Sequence, residues 1–466
     1  MLGGGLTGLT TALLLKREGA RVAVVEAVQV GGGVTGCTTA KVSALQATIY
    51  STIGSKHGGD AASTYAEASL AGVEQVAALA GEETIECDLE RRPAFTYAAD
   101  EGELSSVENE AAAARRAGLD AVLTDRIDLP YAVAGAVRLD DQLQFHPVRY
   151  AHGLARAVDG DGSLVIEGTR ALGLDEGSPC RIRTTGGTIA ADRVVVATHY
   201  PVFDRGLYFA RLEAERSYCI AAQVRGPLPG GMSISAGTPT RSIRSYGDQL
   251  ILAGEGHAAG ARKADTARYE RLEQFARTHW DVQSIGYRWS AQDPSAYDHL
   301  PLIGRYTPFS SRVFLASGFM KWGLSSGTFA AMILRDLIAG RHNPWAGCFT
   351  PNRFSLRSAP ELARMNAKVG AAFLLERLVP AQASSGADVP PGEARIVRRG
   401  LGKAGVYRDD QGRLHAVSLR CTHLGCLLRF NEAERSWDCP CHGSRFDIDG
   451  AVLEGPAVEP LDHHEL

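Results

Sequence analysis

Two short runs near the C-terminal end constrain what this chain can fold into more than any other part of it. Cys421 and His423 are separated by one residue, and Cys439 and His442 are separated by two. Each run therefore offers one thiolate and one imidazole, and both groups bind transition metals. The two runs predict a pair of facing loops that share one metal centre with two sulfur and two nitrogen ligands.

The arrangement of these ligands favours iron and sulfide over zinc. In a Rieske 2Fe–2S centre two histidines replace two cysteines on one of the irons. Zinc accepts the same residue types, but a zinc finger has both cysteines in one run and both histidines in the other. Each run also holds one further cysteine, Cys426 or Cys441. These two are predicted to form a disulfide that clamps the loops, with two free buried thiols as the alternative.

The motif Cys-Thr-His-Leu-Gly-Cys, followed by Cys-Pro-Cys-His-Gly-Ser, resembles that of the Rieske ferredoxin-like domain. The resemblance implies that Cys421 and Cys439 bind one iron of a 2Fe–2S cluster. It implies equally that His423 and His442 bind the other. A small all-β domain is expected around them.

Two more positions of this stretch bear on the cluster. In the family, the serine after His-Gly hydrogen-bonds a bridging sulfide, and Ser444 stands there. High-potential members have a tyrosine where Phe446 stands. Because hydrogen bonds to the sulfurs help to set the reduction potential, the missing hydroxyl predicts a potential below the top of the Rieske range, about +300 mV.

A glycine-rich loop at the opposite end of the chain predicts a dinucleotide site. Residues 3–8 fit G-x-G-x-x-G and lead into an apolar helix over 9–16. A buried strand over 20–25 follows, and Glu26 comes directly after it, where a ribose hydroxyl needs an acceptor. The glycines let the backbone approach a pyrophosphate at the helix N-terminus. The candidate cofactor-binding residues of this part are Gly3, Gly5, Leu6, Thr7, Gly8 and Glu26.

The strand that should precede this loop is almost missing, since only Met1 and Leu2 come before it. The pattern predicts a start assigned too late or a shortened chain. If the chain begins at Met1, the sheet is expected to lose a central strand and to hold its dinucleotide weakly. A second glycine run, over 31–36, is interpreted as a flexible loop near the cofactor. The run 254–256 does not fit a second nucleotide-binding fold.

Three further segments resemble the D-amino-acid oxidase-like FAD superfamily, which includes sarcosine and glycine oxidases and amino-acid dehydrogenases. They are the threonine-rich stretch 36–42, the apolar strand 193–199 and the strand-to-turn 315–323, which leads into a helix over 328–339. The resemblance implies FAD, held without a covalent bond, and a late helix whose positive N-terminus faces the flavin. The candidate cofactor-side residues are Thr38, Thr39, Lys41, Ala197, Thr198, Gly318, Lys321, Trp322 and Gly323.

Lys41 is the single charged residue in the stretch 31–53, which predicts a place over the flavin or opposite a carboxylate. Alternating strands between 206 and 300 suit an antiparallel substrate domain. No catalytic base is assigned, because the family shares its flavin site but not its substrate residues. The substrate-side candidates, for each of which a structural role is the alternative, are Tyr246, His257, Arg288, Trp289 and Gln292.

The whole chain resembles FAD-dependent oxidoreductases that carry a C-terminal Rieske module. The expected fold is a Rossmann-like, doubly wound α/β domain interleaved with an antiparallel α+β substrate domain, followed by a small all-β domain. The FAD-dependent part is predicted over 1–345, a helix and a Pro/Gly-rich tether over 346–392, and the Rieske domain over 393–466. Within the first part, the FAD-binding segments are 1–60, 140–205 and 300–345, and the substrate-domain segments are 61–139 and 206–299.

Composition excludes several other roles. The chain has 466 residues and a net charge of −4. This size indicates more than one domain, and the charge gives no reason to expect nucleic acid or an anionic membrane as a partner. No apolar run is long enough to span a bilayer and no signal peptide is recognisable, so a cytoplasmic protein is predicted.

These features predict an FAD-dependent enzyme that oxidises an amine or amino acid by hydride transfer to FAD. Its electrons then leave singly through the Rieske cluster to an unknown one-electron protein partner. One alternative is an NAD(P)H-linked flavin reductase that feeds the cluster, although a second nucleotide fold is missing. The other is a non-catalytic redox sensor or electron shuttle.

Overall fold

The computed structural model describes residues 1–261, 266–375, 379–399 and 402–464. The α-helices are Leu6–Arg17 (α1), Val34–Cys37 (α2), Ile49–His57 (α3), Gly59–Glu82 (α4), Glu101–Arg116 (α5), Pro147–Val158 (α6), Ala267–His279 (α7), Gly323–Ile338 (α8), Ala346–Phe349 (α9) and Ala359–Leu375 (α10). The strands of the first 320 residues are Ala23–Val25 (β1), Lys41–Val42 (β2), Glu90–Ala98 (β3), Val122–Thr124 (β4), Gly135–Gln144 (β5), Leu164–Ile166 (β6), Ala171–Asp175 (β7), Cys180–Thr184 (β8), Gly187–Ala191 (β9), Val194–Val196 (β10), Leu212–Arg225 (β11), Met232–Ser235 (β12), Arg241–Tyr246 (β13), Gln249–Ala258 (β14), Asp281–Ala296 (β15), Leu302–Arg305 (β16) and Val313–Ser317 (β17). The last strands are Ala394–Arg399 (β18), Gly402–Arg408 (β19), Leu414–Ser418 (β20), Arg429–Asn431 (β21), Ser436–Asp438 (β22), Arg445–Phe446 (β23) and Val452–Glu454 (β24).

A sheet of mostly parallel strands forms the centre of the first domain. β1 pairs in parallel with β6, and β10 pairs in parallel with β17, which is antiparallel to β16. Leu2 joins the two halves, because it forms parallel bridges with both Val25 and Val196. Leu2 alone thus occupies the place of the central strand, because only two residues precede the glycine loop.

Helices α1 and α8 pack against each other and bury nearly all of their apolar side chains. Leu9 and Leu13 of α1 are almost fully buried, as are Phe329 and Ile333 of α8. Each large apolar side chain removed from water in this way stabilises the fold by about 1.5–3 kcal/mol. The packing fixes the N-terminal ends of both helices at the same side of the parallel sheet.

A nine-stranded sheet forms the second layer, in the order β15-β11-β14-β13-β12-β3-β5-β2, with β4 paired to β5. All its pairings are antiparallel except that between β12 and β3. Its strands come from segments that alternate along the sequence with the segments of the parallel sheet. The two layers therefore interleave along the chain. The predicted α/β fold with an interleaved antiparallel domain is confirmed.

The C-terminal part is a small all-β unit, as predicted. One sheet has the order β18-β19-β20 and the other the order β21-β22-β23-β24. Trp437, Tyr407 and Phe446 are buried in its core. Because these large rings fill the space between the two sheets, the short strands have a common apolar interior.

The segment predicted as a tether has defined contacts. Gln382 and Ala383 both donate their backbone N–H to the carbonyl oxygen of Ile396 in β18, at 2.7 and 3.2 Å. Ser385 and Asp388 form a capping box around a short 3₁₀ helix. The backbone of this segment has hydrogen-bond partners on the edge strand β18, and its role as a tether between the domains stays a prediction. In the described part of the chain, no helix is long and apolar enough to cross a bilayer.

Candidate flavin site and iron–sulfur centre

The glycine loop between Leu2 and α1 is packed so tightly that side chains would not fit. Gly3 has a φ of +109°, and a Cβ there would lie 2.4 Å from the carbonyl oxygen of Ala197. A Cβ on Gly8 would lie 2.0 Å from the carbonyl oxygen of Gly3. Both positions therefore require glycine, which brings the N-terminus of α1 against the end of the parallel sheet.

Glu26 closes the same loop from the other side. Its Oε2 accepts a hydrogen bond from the Gly4 N–H at 2.7 Å, and its Oε1 accepts one from the Val28 N–H at 3.0 Å. The carboxylate is thus fixed directly after β1, beside the glycine loop. This is the position that the sequence pattern predicts for an acceptor to a ribose hydroxyl.

A cavity of about 970 Å³ extends from the glycine loop to the nine-stranded sheet. Such a volume suits a large cofactor together with a small substrate. The predicted residues that line it are Gly3, Gly5, Leu6, Thr7, Glu26, Thr38, Thr39, Lys41, Ala197, Thr198, Gln292, Lys321, Trp322 and Gly323.

Two predicted cofactor residues, Gly8 and Gly318, are not part of the cavity wall. Gly8 faces the backbone of Gly3, so its role is to let α1 approach the loop. Gly318 has a φ of +75° and turns the chain after β17, close to Leu212 and Ala296. Both glycines shape the wall from behind, and their assignment to the cofactor site stays a prediction.

The N-terminus of α8 opens into the cavity opposite the glycine loop. Trp322 caps this helix and Gly323 begins it, and both line the cavity. Lys321 has a φ of +72°, and its Nζ lies 3.2 Å from Oε2 of Glu215. The cavity therefore has a helix N-terminus, with its partial positive charge, at each of two ends.

Lys41 is the most unusual charged group of the cavity. Its side chain is buried, and its Nζ donates to the Ser233 carbonyl at 3.0 Å and to the Ser242 hydroxyl. These partners are neutral. Burial, with a smaller contribution from Arg244, lowers the pKa of Lys41 to about 7. The amine can therefore pair with an anion that enters the cavity, since no carboxylate among the described residues is hydrogen-bonded to it.

Four of the five substrate-side candidates do not line the cavity. Tyr246 donates to Asp88 at 2.6 Å, and Arg288 pairs with Glu273 near the surface. His257 stacks on the Tyr218 ring. Trp289 donates its indole N–H to the Cys37 carbonyl at 2.8 Å. The alternation of β13, β14 and β15 points these side chains to other neighbours, which favours the structural alternative for all four.

The structure adds wall residues that the sequence did not reveal. His199 has a φ of +63° and its Nε2 lies 2.6 Å from the Gln292 carbonyl oxygen, to which it donates. Asp293 lines the same region, where burial raises the pKa of its carboxyl. Residues 452–455 of β24 and its turn, from the C-terminal unit, also line the cavity. The available signal for His199 was its position directly after Ala-Thr at the end of β10.

The four metal ligands predicted from the sequence come together at one end of the C-terminal unit. The rings of His423 and His442 are 5.1 Å apart between centroids and nearly perpendicular, at 87°. Cys421 and Cys439 are buried free thiols, and contact with Cys439 lowers the pKa of Cys421. The two loops therefore present two sulfurs and two imidazoles to the same space.

Unpaired nitrogen atoms show that this space suits a metal cluster. The Nδ1 atoms of His423 and His442 are buried without a hydrogen-bond partner among the described residues. A buried polar atom without a partner is costly, and ligation would relieve that cost. Burial also lowers the pKa of His442 to about 3, so its imidazole is neutral, which is the form that binds metal.

The second pair of cysteines forms a disulfide between Cys426 and Cys441, linking the two ligand loops. Ser444 accepts a hydrogen bond from the Ala457 N–H at 3.0 Å, which leaves its hydroxyl proton free to donate toward the ligand loops. Phe446 is fully buried in the core. The loops are thus fixed by a covalent link and by the sheet behind them.

The imidazoles do not face solvent. The Phe209 ring lies 5.2 Å from the His442 ring and 6.1 Å from the His423 ring, between centroids. Asp204 accepts from Nε2 of His423 at 2.9 Å. Both residues belong to the flavin domain, which therefore covers the imidazole edges. The reason is that the two domains are docked at this surface.

The fold and the two sites define a flavin-dependent oxidoreductase that also carries an iron–sulfur domain. Residues 2–337 match the family described as FAD dependent oxidoreductase, and residues 380–465 match the Rieske [2Fe-2S] domain. The chain belongs to the FAD dependent oxidoreductase family and has a C-terminal Rieske domain. FAD and a 2Fe–2S cluster are accordingly its cofactors.

Known proteins resemble either the whole chain or one part of it. The "Putative Rieske 2Fe-2S iron-sulfur protein YhfW" of Bacillus subtilis (strain 168) is 35% identical over 473 residues, which cover 100% of this chain and 93% of that protein. The cytochrome b6-f complex iron-sulfur subunit of Chlorobaculum tepidum is 40% identical over 82 residues, which cover 16% of this chain and 45% of that subunit.

Two solved structures share the fold of the larger part. Glycine oxidase from Geobacillus kaustophilus superposes with a TM-score of 0.65 at 21% identity, covering 76% of this chain and 97% of that one. L-proline dehydrogenase from P.horikoshii does so with a TM-score of 0.63 at 16% identity, covering 76% and 96%. At these identities the likeness concerns the fold alone.

Proposed function

We propose that this chain oxidises a small amine or amino acid at its flavin and passes the electrons singly to its own Rieske cluster. One observation carries this proposal: the cluster loop touches the flavin cavity. Gln292 lines the cavity, and its Nε2 donates to the carbonyl oxygen of Gly443 at 2.7 Å. Gly443 follows the ligand His442 directly. The two redox sites are thus neighbours within one chain.

The glycine loop and Glu26 are proposed to hold the dinucleotide part of FAD. The backbone N–H groups at the start of α1 suit a pyrophosphate, because they are unpaired within the helix and lie at its positive end. Glu26 has a carboxylate fixed beside them by the Gly4 N–H. Gly3 and Gly8 keep side chains out of this approach.

The flavin ring is proposed to lie between the threonine-rich segment and the start of α8. Thr38, Thr39, Trp322 and Gly323 line this part of the cavity. When bound, FAD supplies a two-electron acceptor for hydride, and the Rieske cluster supplies a one-electron carrier. The positive end of α8 favours negative charge on whatever lies in front of it.

The substrate is proposed to bind at the nine-stranded sheet, next to Lys41. The amine of Lys41 is buried with neutral partners and would pair with a substrate carboxylate. Ser217 and Ser242 line the same wall and offer hydroxyl groups. An amino acid presents both groups that this wall needs, an anionic carboxylate and an amine. The named activities of the fold neighbours, on glycine and L-proline, support the same substrate class.

Anaerobic titration of the holoprotein tests this proposal. A panel of amines and amino acids is added in turn, and the flavin and cluster spectra are recorded. Bleaching of both by one amine with a saturable dependence is the expected result. Bleaching by NAD(P)H alone would support a reductase, and no response to either would support a sensor or shuttle. Acid precipitation should release the FAD, because no covalent bond is proposed.

A further inference from the structure

The flavin cavity has a wall that does not belong to the flavin domain. Residues 452–455 line it, together with Val458. All of these residues belong to the Rieske domain. Val452 is tied to the flavin domain, since its carbonyl oxygen accepts from Nη2 of Arg170 at 3.2 Å. Arg170 lines the cavity as well.

Glu454 connects this wall to the interior of the flavin domain. Its carboxylate lies 3.3 Å from Nη2 of Arg216 and 2.8 Å from Nη1 of Arg445. Burial alone would raise the pKa of Glu454, but the two guanidinium groups outweigh it and lower the pKa to about 2. The carboxylate is therefore charged under all ordinary conditions and bridges an arginine of each domain.

Arg216 shows that the flavin domain is built to receive this carboxylate. Its side chain is 0% exposed, and its other partners, Ser290 and Gln292, are neutral. Glu454 is the carboxylate that pairs with it in the described chain. A buried guanidinium without a counter-ion is strongly unfavourable, so the flavin domain has a charge that the Rieske domain must neutralise.

Glycines on both sides allow the close approach. Gly443 has a φ of +78°, and a Cβ there would lie 2.5 Å from Cβ of Ala214. Gly260 has a φ of +63°, and a Cβ there would lie 2.5 Å from the Cα of Pro440. Both glycines therefore let the two domains approach closely next to the ligand loop.

We propose that the FAD-binding site is shared between the two domains, with β24 as one of its walls and Glu454 as the positioning residue that clamps this wall through Arg216. This rests on the proposed flavin site, and it assigns to the Rieske domain a second role, which is to retain FAD. Removing the negative charge of Glu454 leaves Arg216 buried and unpaired. The wall then separates and FAD leaves faster.

The test compares Glu454→Gln with Glu432→Gln in the full-length holoprotein. Glu432 is an exposed carboxylate of the same domain that does not line the cavity. FAD release is followed by the fluorescence of the freed flavin, and FAD affinity by titration of the apoprotein. Release from Glu454→Gln is expected to be about tenfold faster, which corresponds to about 1.4 kcal/mol. Glu432→Gln should behave as the unaltered protein.

The EPR spectrum of the chemically reduced cluster is recorded for each variant. An unchanged spectrum with faster FAD release supports the shared wall, and an unchanged spectrum with unchanged release overturns it. Should Glu454→Gln fail to assemble its cluster, Arg216→Met replaces it, because that change leaves the Rieske domain intact. FAD release from Arg216→Met at the unaltered rate would overturn the proposal. No substrate is used, so these outcomes are independent of whether amines are oxidised.

Discussion

The two redox sites of this chain are built in opposite ways. All four predicted cluster ligands lie between residues 421 and 442, on two loops joined by a disulfide. The flavin cavity takes its walls from residues as far apart as Leu2 and Val458. The cluster site is therefore held by local bonds, whereas the flavin site exists only when distant elements are docked. We therefore expect a substitution at the cluster site to act mainly on that site, and a substitution at the flavin cavity to affect elements far away in the sequence.

Loss of a cluster ligand is the largest expected effect. Cys439→Ala removes one of two thiolates, and we expect near-complete loss of iron and of the cluster EPR signal, since three ligands do not complete the site. Metal analysis and EPR spectroscopy measure this. Cys348→Ala, which alters a free half-buried thiol outside the site, should keep its iron. Iron retained by Cys439→Ala would show that the ligand assignment is wrong.

A methyl group in the glycine loop should be the most damaging small change to the flavin site. In Gly8→Ala the new Cβ would lie 2.0 Å from the Gly3 carbonyl oxygen, so α1 must shift away from the loop. Overpacking of this kind costs about 1–3 kcal/mol, which would weaken FAD binding by roughly five- to 150-fold. Titration of the apoprotein with FAD gives the affinity.

The matched control is Gly81→Ala in α4, where a Cβ has nothing within 4 Å. FAD affinity should be unchanged there. Equal affinity in both variants would mean that the loop tolerates a side chain. The close approach of α1 to the glycine loop would then not matter for FAD binding.

The disulfide should matter mainly to the Rieske domain. Its loss in the double variant Cys426→Ser, Cys441→Ser opens a loop with a sequence separation of 15. In the chain-entropy account, a disulfide that closes a loop of this length stabilises the folded state by about 3 kcal/mol. Thermal bleaching of the cluster absorbance is expected at lower temperature. The helical circular dichroism, which comes mainly from the flavin domain, should shift less than the cluster absorbance. An equal shift of both transitions would contradict a local effect of the disulfide.

Lys41 allows a smaller, pH-dependent test of the cavity. Because burial lowers its pKa to about 7, the amine is charged below about pH 7 and neutral above it. Affinity for a short carboxylate such as acetate should therefore fall as the pH rises through about 7. Lys41→Met should bind acetate about tenfold more weakly at low pH, or about 1.4 kcal/mol, and show no such pH dependence. Difference spectra of the flavin report binding.

Lys56→Met serves as the control for this experiment, because Lys56 does not line the cavity. It should keep the pH dependence of the unaltered protein. An unchanged pH profile in Lys41→Met would remove Lys41 from the proposed anion site.

The smallest expected effect concerns the cluster potential. Phe446→Tyr adds a hydroxyl next to the ligand loops, and a new hydrogen bond to a cluster sulfur should raise the midpoint potential. Protein-film voltammetry on the unaltered protein and on this variant gives both values. An unaltered protein already at the top of the Rieske range, about +300 mV, would contradict the prediction from the missing hydroxyl.

The local site could be predicted from the sequence, and the distributed one only in part. The ligands, the disulfide and the glycine loop are each short patterns whose spacing has a physical cause. The pair formed by Arg216 and Glu454 has a sequence separation of 238, and no local pattern links such residues. Alternation along β11 places Arg216 on the buried face with Leu212 and Ala214, which was a usable signal for a buried charge. The partner of Arg216 can be identified only from the way in which the two domains dock.

Phe209 and Asp204 cover the two histidines. This cover limits which redox partners can come close to the cluster site. Transfer between redox centres slows steeply with the thickness of protein between them. A visiting redox protein that approaches the histidine side meets the flavin domain before it meets an imidazole. In the docked arrangement the imidazole edges face the flavin domain, which supports the proposed electron transfer between the cluster and the chain's own flavin.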